Sequence, residues 1–246
     1  MGAVETSAFS DEEVAAAMAR HPQLVRTGPG TVEGGVLINA EYEGEIINER
    51  FDVRITKANP ASDRVPALYE TGGRTNAIAA KRGLADTRDL HRNPDNGSAC
   101  VCVKQEEATR FPPSSDLSFF IDGLARDYLY GLAFYDRHGR WPWGERAHGS
   151  VGLLEFYADN DEPLTNTDIE TIVPYFVREK NWLEFDKQLR RPKEHRACIC
   201  GSGEPFGKSH PKALQGLLAL TAEIDRLGMK RRSLFDRART QLAKGI

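Results

Sequence analysis

A histidine, an asparagine and a cysteine stand close together in Leu90-His91-Arg92-Asn93-Pro94-Asp95-Asn96-Gly97-Ser98-Ala99-Cys100-Val101. Thiolates are the strongest common side-chain nucleophiles near neutral pH. A side-chain amide such as that of Asn93 can donate to a developing oxyanion. Asn93-Pro94 and Asn96-Gly97 are turn dipeptides, because proline fixes φ and Asn-Gly tolerates positive φ. The stretch therefore reads as a turn that delivers Cys100, and the chemistry it points to is acyl transfer through a thioester. An ordinary surface turn ahead of a buried cysteine is the plainer alternative. The full constellation outweighs it.

A second group follows from residue 198: Cys198-Ile199-Cys200-Gly201-Ser202-Gly203, then Lys208-Ser209-His210. The four cysteines of the chain fall in two Cys-x-Cys pairs, Cys100/Cys102 and Cys198/Cys200. Residues two apart make poor disulfides, so these are free thiols or metal ligands. Cys102 reads as a packed thiol.

The elements that must position these groups can be traced by period. Ser10 with Glu13 forms a capping box for a helix over residues 10–20, which His21-Pro22 ends. Residues 24–57 alternate as strands around a turn at Glu43-Gly44-Glu45, with Phe51, Val53 and Ile55 on one face. Val65 to Tyr69 is a third apolar run, after a loop at Asn59-Pro60-Ala61-Ser62-Asp63. Residues 71–90 read as a polar connector and Ser98 to Val103 as a strand. Ser115 or Asp116 caps a core helix running to about Phe134, on Leu117, Phe120, Ile121, Leu124, Tyr128, Leu129 and Leu132. Trp141-Pro142-Trp143-Gly144-Glu145-Arg146-Ala147-His148-Gly149 either wraps the site or is a turn packed by its indoles. His148 is a candidate base for an attacking amine, or a structural histidine. Val151 to Tyr157 reads as a short strand, Thr167 to Val177 as a helix bent or ended by Pro174, and Pro211 to Leu242 as helical. Its basic residues, Lys230 to Lys244, read as a solvated face.

The Cys100 stretch resembles the active site of ubiquitin-conjugating enzymes. That family carries His-Pro-Asn, a short loop, an Asn-Gly-like turn, an apolar residue and the catalytic cysteine. His91, Asn93, Asn96, Gly97 and Cys100 stand in the matching places. Arg92 replaces the family's proline, the loop is about a residue shorter, and the passage before it is longer and more polar. The leading helix, the antiparallel meander and the helix after Cys100 are compatible in outline. Residues 198–210 are similar to the SEC-C motif, a zinc knuckle of Cys-x-Cys-Gly-Ser-Gly, a spacer and a terminal Cys with Cys or His. Ser209 stands where its third cysteine is expected, which leaves Cys198, Cys200 and His210 as strong ligands. A fourth would come from elsewhere, or the site survives as a metal-free glycine-rich turn.

These resemblances imply an α+β fold, an antiparallel sheet flanked by helices, with a C-terminal zinc-knuckle-like turn and helix. Residues 1–187 would form the ubiquitin-conjugating-like domain and residues 188–246 the SEC-C-like tail. Similar proteins occur in bacterial antiphage operons of the CBASS type, beside a cGAS-like nucleotidyltransferase. The resemblance implies that Cys100 accepts a partner's C-terminal carboxyl, that Asn93 stabilises the oxyanion, and that His91 holds the loop. Zinc is the implied cofactor. No nucleotide cofactor is expected, so a separate activating protein would supply the acyl group, or it is already activated on the partner.

With 28% charged residues, 40% hydrophobic residues and a net charge of -3, nothing in composition asks for nucleic acid or a membrane. No apolar run approaches the roughly 20 residues of a membrane span. The acidic N-terminal stretch is no secretory signal, Gly2 offers only a weak myristoylation pattern, and the expected compartment is the cytoplasm. Two other readings stay open: a non-catalytic adaptor on the same fold, and a cysteine hydrolase pairing Cys100 with His148. The hydrolase is disfavoured because no helix N-terminus follows Cys100 to lower its pKa.

Overall fold

The computed structural model describes residues 8–57, 65–85, 87–93, 95–143, 146–147 and 149–243. Gly2, the 59–63 loop, Pro94, Gly144, Glu145, His148 and Lys244 lie outside the described residues. The chain divides into two compact units, residues 1–144 and 145–246, each with its own apolar core.

The first unit is α+β. Helix α1 (Asp11–Arg20) starts at the expected capping box: Ser10 Oγ accepts from Glu13 N at 3.1 Å and Ser10 N donates to Glu13 Oε2 at 2.8 Å. Val14 and Ala17 turn inward. Strands β1 (Leu24–Gly28), β2 (Thr31–Tyr42), β3 (Glu45–Thr56) and β4 (Ala67–Glu70) form a four-stranded antiparallel meander in sequence order. Tyr42 pairs with Glu45, so Glu43 and Gly44 form a two-residue hairpin turn. Both have positive φ, 50° and 82°, as a tight turn matched to strand twist requires. Alternation buries Val36, Ile38, Phe51, Val53 and Ile55, while Leu37 faces out.

Asp116 caps the core helix, its Oδ1 accepting from Phe119 N at 2.8 Å. The helix runs through α4 (Leu117–Phe120), a π-helical turn (Ile121–Ala125) and α5 (Arg126–His138). Tyr130 ties it to the sheet by donating to Glu45 O at 2.8 Å. The 71–90 connector contains a helix instead, α2 (Arg74–Arg82). Its inward stripe is only Thr75, Ile78 and Ala79, set in a polar background. Glu70 accepts from Thr75 N at 2.9 Å, covering one of the free amides of its first turn. Residues 98–103 are not a strand either. Ala99 N donates to Leu68 O and Cys100 N to His91 O, both at 2.7 Å, and the segment forms a single bridge between Arg92 and Ala99. A short helix, α3 (Glu107–Arg110), follows.

The second unit is helical: α6 (Gly149–Ala158), α7 (Asn166–Val177), α8 (Trp182–Arg190), α9 (Phe206–Ser209), α10 (Pro211–Arg226) and α11 (Arg231–Ala243). The expected strand at 151–157 is helix α6. Val151, Leu153, Leu154 and Tyr157 are all buried, so the run shows no helical period to read. Its partner is α10, where a Cβ on Gly216 would overlap the carbonyl oxygen of Leu154. That close approach places residues 145–187 in one core with the tail, so the division falls at 144/145 and not at 187/188. Pro174 stays inside α7. The final helical stretch breaks at Leu227-Gly228, where Gly228 has φ 67°. Among the described residues, no helix is long and apolar enough to cross a membrane.

Candidate functional site

Residues 91–93 and 95–100 fold back on each other beside edge strand β4, where Ala99 N meets Leu68 O. A short 3-10 turn (Arg88–Leu90) leads into it, with Leu90 fully buried and its carbonyl accepting from Tyr128 Oη at 3.1 Å. His91 has φ 49°, an uncommon conformation for a residue with a Cβ. From there Cys100 N reaches back to His91 O, Asn93 N donates to Ser98 O at 2.8 Å, and Gly97 N donates to Asn93 O at 2.8 Å. Gly97 takes the positive φ, 76°, that the Asn-Gly turn demands.

Side chains fix the loop from within. Asn96 Oδ1 accepts from Ser98 N at 2.9 Å and from Ser98 Oγ at 2.8 Å. Asn93 Nδ2 donates to Ser98 Oγ at 2.9 Å. An amide nitrogen carries two hydrogens, and Ser98 takes one of those on Asn93. Arg92 bridges outward, with Nε on Gly97 O at 3.1 Å and a terminal nitrogen on Asn76 Oδ1 at 2.9 Å. Asn76 lies on α2, so Arg92 ties the loop to the helix that precedes it. The His91 ring meets the Trp141 ring edge to face at 4.6 Å, and Trp141 Nε1 donates to Asp89 O at 3.0 Å. His91 thus anchors the hairpin to a buried indole.

Cys100 is exposed. Its Sγ lies 3.9 Å from Cys102 O, and the protein atoms crowding the sulfur push the thiol above its ordinary pKa. Cys102 is half-buried and pushed up to about 12, by burial first and then by Glu107, Cys100 and Glu106. Both are protonated at neutral pH. His91, Asn93 and Cys100 therefore share one hairpin, as the sequence spacing anticipates. The contributions of Ser98, Asn76 and Trp141 are not legible in the spacing, although the Trp141 stretch reads as a loop that either wraps the site or packs on its indoles. His148 lies outside the described residues.

The second group is also assembled. Cys198, Cys200 and His210 could hold a metal ion, their ligand atoms lying within 4.8 Å of one another. Cys198 N donates to Glu204 O at 2.8 Å, and Gly201 and Gly203 have φ of 83° and 79°, which turns the chain back on itself. Buried Phe206 opens α9, whose end presents Ser209 and His210 to the two sulfurs. Cys198 Sγ is 3.3 Å from His210 Nδ1, and Ser209 Oγ is 2.9 Å from the same nitrogen and 3.8 Å from Cys200 Sγ. Burial raises the Cys198 thiol. Burial acts on Cys200 in the same sense, but hydrogen bonds with Ser202, Cys198 and Ser209 outweigh it and lower that thiol. Comparison with family models, curated proteins and solved structures finds no match for this chain.

Proposed function

We propose that this chain is a ubiquitin-conjugating-like transferase in which Cys100 carries an acyl group as a thioester. The observation that carries the reading is the hairpin itself: an exposed Cys100 closes a loop that also holds His91 and Asn93. The order of elements around it supports the reading, with a leading helix, a four-stranded meander, the cysteine loop and a long core helix.

The chemistry follows from the thiol. A protonated thiol of raised pKa attacks unactivated carbonyls poorly, but its thiolate, once formed, is intrinsically a strong nucleophile. Such a group suits exchange with an acyl group that is already activated. Cys100 sulfur forms a bond to the acyl carbon, the donor's leaving group departs, and the Cys100 proton goes with it. An amine then attacks the thioester, the second amide hydrogen of Asn93 stabilises the oxyanion, and the carbon–sulfur bond breaks as Cys100 leaves as thiolate and takes up the proton that the amine gives up. His91 and Trp141 hold the loop through both steps. The acyl donor is the C-terminus of a partner protein, by resemblance a cGAS-like nucleotidyltransferase, activated by a separate protein. In the tail, the Cys198, Cys200 and His210 donor set suits zinc, which accepts thiolate and imidazole together.

Co-expression with the partner, followed by a non-reducing gel, tests the reading. An adduct of partner size should appear for the wild type, fall apart with hydroxylamine and be lost in Cys100→Ala. Equal, wholly non-covalent binding by both proteins would make the chain an adaptor and Cys100 a packed thiol.

A further inference from the structure

We propose that zinc in the 198–210 turn has three protein ligands among the described residues, Cys198, Cys200 and His210, and that its fourth position is open to a small thiol from solution. The inference rests on the zinc reading above and goes beyond it.

The side facing Ser209 is where a fourth ligand would belong. Ser209 Oγ lies 2.9 Å from His210 Nδ1 and 3.8 Å from Cys200 Sγ. A serine hydroxyl stays protonated at neutral pH and is a weak donor beside thiolates and imidazole. Among the described residues, the grouped metal donors here are the two cysteines and the histidine. Access lies on the same side. Cys198 is buried, but Cys200, whose Sγ lies 3.8 Å from Ser209 Oγ, is exposed and His210 is half-buried. Closed structural zinc sites use four strong protein ligands, whereas three leave a position for water or an exogenous group. Soft thiolates suit that position. A thiol entering it displaces water and releases its proton to solvent, so charge and atoms balance without a redox partner.

Cobalt(II) titration of the full chain under nitrogen tests this, because the thiolate-to-cobalt absorption grows with the number of sulfurs bound. Wild type should bind cobalt with a two-thiolate spectrum, and added 2-mercaptoethanol should raise the band in the ratio of three thiolates to two. Ser209→Cys should show the three-thiolate spectrum at once, ignore added thiol, and bind cobalt at least about tenfold more tightly. Outer-shell changes alone are worth that much, and this one adds a direct ligand. Ser209→Ala should behave as the wild type does. No cobalt binding by the wild type would overturn both the zinc reading and the open position. Cobalt binding with a spectrum that added thiol does not move would overturn the open position alone, as would a spectral shift and tenfold loss in Ser209→Ala, which would make Ser209 the fourth ligand.

Discussion

Cys100 and Asn93 each depend on small local forces. Burial of its sulfur raises the Cys100 thiol, so its thiolate is scarce at neutral pH. Cys200 differs, because against its burial the hydrogen bonds with Ser202, Cys198 and Ser209 hold its thiol low. In the metal-free protein, iodoacetamide should therefore label Cys200 before Cys100, and Cys102, pushed up to about 12, last. The Cys100 rate should climb about tenfold per pH unit past about pH 8.5, since a raised pKa leaves thiolate still accumulating there. Peptide mass spectrometry across pH reads all three, and a plateau for Cys100 near neutral pH would contradict the account. Asn93 is tied to Ser98, so Asn93→Ala should cost about 1 kcal/mol of stability. It should also slow transfer from the thioester to an amine much more than thioester formation, as single-turnover kinetics would show. Equal slowing of both steps would reduce Asn93 to a purely structural role.

At the scale of elements, the hairpin is held by a residue far from it in sequence. Trp141 packs on His91 and Tyr128, bonds Asp89 O, and lies where a Cβ on Gly131 would clash with it. Trp141→Ala should cost about 3–5 kcal/mol. Thioester formation should fall with it even at temperatures where the fold survives, because His91 loses the surface that fixes its left-handed backbone. Trp141→Phe should restore most of the stability, with denaturant melts as the readout. The contrast between sequence and structure is sharpest at this scale. Capping boxes, period-two strands and turns are local, so Ser10 with Glu13, the β2–β3 hairpin and the Asn96-Gly97 turn could be read residue by residue. The triplet His91, Asn93 and Cys100 could be read because one short loop contains it. Helix α2 could not, since three inward residues give too weak a stripe. Helix α6 could not, because a helix buried all round carries no period.

At the scale of the whole molecule, the boundary at 144/145 reflects packing between segments remote in sequence. Gly216 on α10 lies against Leu154 on α6 with no room for a methyl group. Gly216→Ala should cost about 1–3 kcal/mol or more through overpacking. The loss should fall on the second unit alone, leaving the Cys100 hairpin and its alkylation rate unchanged. Hydrogen exchange resolved by peptide would show it, with faster exchange in α6 and α10 and none in β2–β3. Composition shifts near residue 188 pointed to a boundary there, but charge reports the surface and says nothing about which helices share a core.

The central claim is that Cys100 carries an acyl group, and intact mass tests it most directly. After co-expression with the partner and its activating protein, the wild type should gain the partner's mass less one water, and hydroxylamine should remove it. Cys100→Ser should hold the same mass as an oxyester that thiols leave intact. An unmodified mass for both proteins, with the partner still bound, would contradict the claim.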